Sequence, residues 1–178
     1  MIMLSHMKNN YFEVRRFSFL SFLGIVLFLG LCFSPAQAET LTGQVVKIAD
    51  GDTLTVLDAS KQQHRIRLTG IDAPERKQAF GTVSRQHLAG LVFGRTVMVE
   101  WHKRDRYQRI LGKVLMDGQD ANLEQIRAGL AWHYKQYGKD QQPVDRVVYA
   151  EAEDAARLEG VGLWRDPAPI PPWNFRRK

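Results

Sequence analysis

The sequence predicts an α+β domain of five strands and about three helices, placed after a short leader. Three observations carry that expectation. Alternating apolar residues recur in five short runs, and the period turns helical after the third run and again after the fifth. An Asp50-Gly51 step lies between the first two runs, and such a step between alternating residues favours a type I′ hairpin turn.

The elements follow in order. LTGQVVKIA (41–49) alternates as a strand, and TLTVLD (53–58) pairs back to it through the Asp-Gly turn. QHRIRLTGI (63–71) sets Arg65 and Arg67 on one face and Ile66 and Leu68 on the other, completing a meander. FGTVSRQHLAGLVFG then places Phe80, Val83, His87, Leu88, Leu91 and Val92 on one helical stripe, with Gly94 as the stop. His87 on that stripe reads as a core residue. RTVMVEWH and RILGKVLMD restore strand alternation around a basic loop, KRDRYQ. Asn122 and Gln125 suggest a capping box for NLEQIRA, which buries Leu123 and Ile126 and stops at Gly129. Pro143 opens PVDRVVYAEAEDAARLEG, whose Val147, Ala155 and Leu158 are small or apolar, and Gly160 closes it. The Pro-rich end, DPAPIPPWNFRRK, is expected to wrap the surface or stay extended. Five strands with a helix after the third match the OB-fold, a partly open barrel.

Residues 1–38 read differently. Arg15 and Arg16 precede the apolar run FSFLSFLGIVLFLGLCF, which leads to Ala36-Gln37-Ala38, the order of a secretory signal peptide and its cleavage site. The expected organisation is therefore a signal peptide (1–38), a domain (39–165) and a Pro-rich basic tail (166–178), with a periplasmic or extracellular destination. An uncleaved membrane anchor is the alternative. The single cysteine, Cys32, falls inside the leader, which excludes thiolate-held zinc and leaves oxygen or imidazole as metal donors. Of the net charge of +6, residues 1–38 hold +2 (Lys8, Arg15 and Arg16 against Glu13), leaving +4 for the remainder. A positive surface attracts polyanions.

Asp50 and Gly51 suffice for a turn, so the second carboxylate, Asp52, needs a reason. GIDAPE puts Asp72 and Glu75 at the end of the third strand, with Pro74 fixing the turn between them. Two carboxylates, a backbone carbonyl and waters make a hard oxygen site suited to Ca²⁺ or Mg²⁺. Taken singly, each is also explained as turn chemistry. Arg67 and Arg109 offer forked, permanently charged donors to phosphate oxygens, and Glu75 can orient or deprotonate a water. His64, His102 and His133 have no ligand spacing.

DGDT (50–53), RIRLTGIDAPE (65–75), DRYQRILG (105–112) and NLEQIRAGLA (122–131) resemble, in order and spacing, the staphylococcal-nuclease-like or thermonuclease family, from about Thr42 to Trp164. The resemblance implies an OB-fold hydrolase that uses Ca²⁺ to cleave DNA and RNA, leaving 3′-phosphate and 5′-hydroxyl ends. It implies Asp52, Asp72 and the carbonyl of Ala73 as metal ligands, Arg67 and Arg109 as phosphate-binding catalytic groups, and Glu75 as general base. Lys103, Arg106, Tyr134 and Tyr137 become candidates for substrate contact, with a solvated loop and ordinary packing as their alternatives. Ala73 replaces a common threonine, and Gln108 replaces the glycine usual before the second arginine. A monomer without a stable protein partner is expected. Two other readings compete: an OB-fold module that binds single strands without cutting them, and a membrane-anchored domain facing an envelope partner.

Overall fold

Alternating burial closes a barrel in the computed structural model, which describes residues 39–177. The expected leader, 1–38, lies outside the described residues. Glu39–Ile48 (β1), Thr53–Asp58 (β2), Gln63–Leu68 (β3), Thr96–Arg104 (β4) and Ile110–Met116 (β5) run β3-β2-β1-β4-β5. The neighbours pair antiparallel, and a parallel pairing of β3 with β5, Ile66 opposite Ile110 and Leu68 opposite Gly112, closes the ring. This is the five-stranded OB-fold barrel with helices. Inward residues Val45, Leu54, Val56, Ile66, Leu68, Val97, Val99, Ile110 and Val114 are buried and form the core.

Three α-helices of more than one turn are present among the described residues: Gly81–Val92 (α1), Ala121–Arg127 (α2) and Pro143–Glu159 (α3). Leu88 and Val92 from α1 and Ile126 from α2 join the barrel core. Gly94, Gly129 and Gly160 all take positive φ where the helices end, as their positions in the sequence suggest. A one-turn helix, Pro172–Phe175 (α4), ends the tail, which folds back across the domain.

Several local expectations are corrected. The Ala49–Asp52 loop is not a type I′ turn, because neither Asp50 nor Gly51 has positive φ. Asp50 instead closes it through its side chain, accepting the Asp52 N–H at 3.1 Å. Gly51 is required for space: a Cβ there would overlap the Ser84 hydroxyl and the Ala73 methyl. The Asn122–Gln125 capping box is also absent. Asp120 caps α2, accepting from the N–H groups of Asn122 at 2.9 Å and Leu123 at 3.1 Å. That frees Asn122 to bind Val114, Thr69 and Gly112 of the barrel.

The apolar stripes are rotated as well. On α1 the buried line is Gly81, Ser84, Leu88 and Val92, whereas Val83 is exposed and His87 is half-buried, bonded to Gln125. On α3 the buried face is Tyr149, Glu153 and Ala156, while Val147 and Leu158 are 56% and 91% exposed. Polar partners set this rotation. The Tyr149 hydroxyl donates to Asp120 at 2.7 Å, and Glu153 accepts the His133 N–H at 3.0 Å.

Candidate active site

The antiparallel pairing of β2 and β3 sets Thr53 opposite Arg67, so the start of one strand lies beside the end of the other. Asp52 and Asp72 therefore reach the same rim of the barrel. The Asp52 carbonyl accepts the Leu68 N–H at 2.8 Å, which fastens the loop to β3. Gln125 of α2 holds the other side, donating to the Gly51 carbonyl at 2.6 Å. Thus fixed, Asp52 turns its carboxylate toward the third segment, where Oδ2 accepts the Ala73 N–H at 2.7 Å.

Asp72 lies in the two-residue strand Ile71–Asp72, paired with Trp132–His133. The Arg67 guanidinium lies between the acids, Nη1 at 3.0 Å from Asp52 Oδ2 and Nη2 at 2.8 Å from Asp72 Oδ1. Both acids are buried, and the guanidinium between them offsets part of the cost of placing two carboxyl groups there. Glu75 follows the Pro74 turn and faces the same space.

Arg109 comes from the β4–β5 loop. Asp105 organises that loop, accepting from the Tyr107 and Arg109 N–H groups at 2.8 and 3.0 Å and from Arg109 Nε at 2.7 Å. Gln108 adopts φ of 62°, the left-handed region a glycine takes freely, so the substitution leaves a glycine-like loop conformation in place. Lys103 is drawn to Asp140 at 2.6 Å, while Arg106 lies over the Tyr107 ring.

One cleft of about 700 Å³ gathers all of these groups. It is lined by Asp52, Arg67, Asp72, Ala73, Glu75 and Arg109, and also by Lys103, Arg106, Tyr134 and Tyr137. The two tyrosines meet edge to face at 5.0 Å, and Tyr137 is 46% exposed. Every residue singled out from the sequence is therefore brought to one place.

The family model described as staphylococcal nuclease homologue matches residues 65–166. An Escherichia coli protein described as an uncharacterised endonuclease is 45% identical over 159 residues, covering 88% of this chain and 97% of its own. A Haemophilus influenzae protein with the same description is 41% identical over 153 residues, covering 86% and 83%. A Shigella flexneri protein described as a micrococcal nuclease is 43% identical over 152 residues, covering 80% and 84%. The chain belongs to the staphylococcal nuclease homologue family.

In this staphylococcal nuclease homologue the acidic rim holds one carboxylate more than the resemblance named. Asp50 also lines the cleft, and burial together with the adjacent Asp52 pushes its carboxyl up to about 7. Burial likewise raises Asp72, against the lowering effects of Arg176 and Arg67. Asp105 goes the other way: burial pushes it up, but the hydrogen bonds from Arg109 and Tyr107 outweigh this and hold it low. Among the described residues, no three His, Cys, Asp or Glu side chains group to hold a metal by themselves. The hard oxygens of Asp52 and Asp72, converging on one guanidinium, nevertheless suit a cation completed by carbonyl and water.

Sequence reasoning missed Asp50, Asp105, Tyr107 and Arg176 in this homologue's cleft, and Trp173, which stacks on the cleft residue Tyr134. The Asp-Gly signal had accounted for Asp50. The two tail residues lie in a stretch with no periodicity from which a position could be read.

Proposed function

We propose that the protein is an exported, Ca²⁺-dependent phosphodiesterase that cleaves DNA and RNA to 3′-phosphate and 5′-hydroxyl ends. The observation that carries this reading is the meeting of two buried acids, Glu75 and two arginines in one aromatic-walled cleft. Membership of a family of nuclease homologues supports it, as do relatives described as endonucleases and a micrococcal nuclease.

Asp52, Asp72 and the Ala73 carbonyl would hold Ca²⁺, which supplies positive charge beside a phosphoryl oxygen. Arg109 and the outer edge of Arg67 receive the non-bridging oxygens, where charge grows as a nucleophile approaches. Glu75 accepts the proton of the attacking water as its oxygen bonds to phosphorus. The phosphorus–O5′ bond then breaks, and the O5′ oxygen takes up a proton from solvent. Tyr134 and Tyr137 offer faces for the bases on either side, and Arg106 reaches the backbone beyond. Export follows from the leader, and intact mass of the purified protein reports cleavage after Ala38.

The test is digestion of single-stranded DNA, duplex DNA and RNA with Ca²⁺, Mg²⁺ or chelator, beside Glu75→Gln. Cleavage with Ca²⁺ is expected to vanish with chelator and to fall at least 10²-fold in the variant. End-labelling should find 5′-hydroxyls. Tight binding without cleavage would support the binding module instead, and full activity in chelator would remove the metal.

A further inference from the structure

We propose that the C-terminal strap, residues 171–176, is a built-in competitor for the cleft: Arg176 holds Asp72 and Glu75 in place of a divalent cation, and Trp173 covers Tyr134. The proposal rests on the reading of Asp72 as a metal ligand and adds a mode of regulation at that site.

The strap is anchored before it reaches the cleft. The Gln78 side-chain amide donates to the Ile170 carbonyl, and Pro172 is buried. Trp173 then meets Trp132 edge to face at 5.5 Å and stacks on Tyr134 at 5.1 Å, with the rings 8° apart. A base seeking that face of Tyr134 meets an indole already seated there.

Three residues on, Arg176 closes a forked pair with Asp72. Nη2 is 2.8 Å from Oδ2, Nη1 is 3.2 Å from Oδ1, and the same Nη1 is 2.8 Å from Glu75 Oε1. Arg67 already donates to Asp72 Oδ1. Both Asp72 oxygens thus accept from the chain's own guanidinium groups, and a divalent cation needs those lone pairs. Two positive centres on one carboxylate also repel each other. Metal and Arg176 therefore compete for Asp72.

The exchange is feasible because the two partners differ in burial. The Asp72 side chain is 1% exposed and must always have a cation beside it, whereas Arg176 is 42% exposed and its pair is softened by solvent. Arg176 serves the metal-free fold and yields to a stronger cation. Departure of the strap uncovers Tyr134 at the same time, coupling cation binding to substrate access.

Calorimetric titration of the full chain with Ca²⁺ alone tests this, comparing the parent with Arg176→Ala, Arg177→Ala and Asp72→Asn. Arg177→Ala removes the same charge from an exposed neighbour. The expected result is about tenfold tighter binding for Arg176→Ala, no change for Arg177→Ala and loss for Asp72→Asn. In the parent, Ca²⁺ should also shift tryptophan emission as Trp173 leaves Tyr134, a shift that Trp173→Phe removes. Equal affinity in the parent and Arg176→Ala, or weaker binding in the variant, would overturn the strap while Asp72→Asn still reports the metal site. No Ca²⁺ binding by the parent or by Arg176→Ala would overturn the metal site and the strap together.

Discussion

Asp50 ionises near 7 in the fold and near 3.8 as an ordinary carboxyl, because burial and the neighbouring Asp52 both oppose its charge. Between these values the folded chain keeps a proton that the unfolded chain has released, so stability falls as pH rises from about 4 to 7. The penalty is fully present above 7 and absent below about 4. Asp50→Asn keeps an oxygen to accept the Asp52 N–H but removes the charge. It should raise stability at pH 8 by roughly 2 kcal/mol, a discounted figure because Asp50 is only partly buried, and change little at pH 4. Urea unfolding at the two pH values checks this. The same residue shows where reading stopped short: the Asp-Gly pair was legible as a turn, and that explanation left no signal for a second role.

At the scale of elements, Asp120 does two jobs, one of them the cap that the sequence suggests for Asn122. It caps α2 through two N–H groups and receives the buried Tyr149 hydroxyl from α3. Asp120→Ala should therefore cost about 2–3 kcal/mol, roughly 1 from the cap and the rest from a stranded hydroxyl. Tyr149→Phe in the same background should recover part of that loss, and a double-mutant cycle measured by urea unfolding reports the share. The strands and the C-terminal ends of α1, α2 and α3 were legible because alternation and glycine stops are local. On α2 the expected Leu123 and Ile126 are indeed buried, but the face of α3 was not legible, since Tyr149 and Glu153 are buried with polar partners far along the chain.

For the whole molecule, closure depends on the seam between β3 and β5. Ile66 sits on that seam opposite Ile110, fully buried, and its side chain fills the barrel at the joint. Ile66→Ala should cost about 2–5 kcal/mol with the urea m-value unchanged, since the cavity cannot collapse without opening the ring. The acids, the arginines and the tyrosines were named together through the family resemblance of their motifs, and the fold sets them around one cleft. Trp173 and Arg176 were not, since only the folded path of the tail carries them to Tyr134 and Asp72.

The path of that tail bears on how the protein is handled. Arg176 is seated on Asp72 and Glu75, so a tag joined to the tail just beyond it starts close to the mouth of the cleft. A polyhistidine tag placed there brings imidazoles beside Asp72 and Glu75, and metal affinities measured on such a protein include the tag. A tag on the other end of the domain, or one removed by protease, leaves the acidic rim to report for itself.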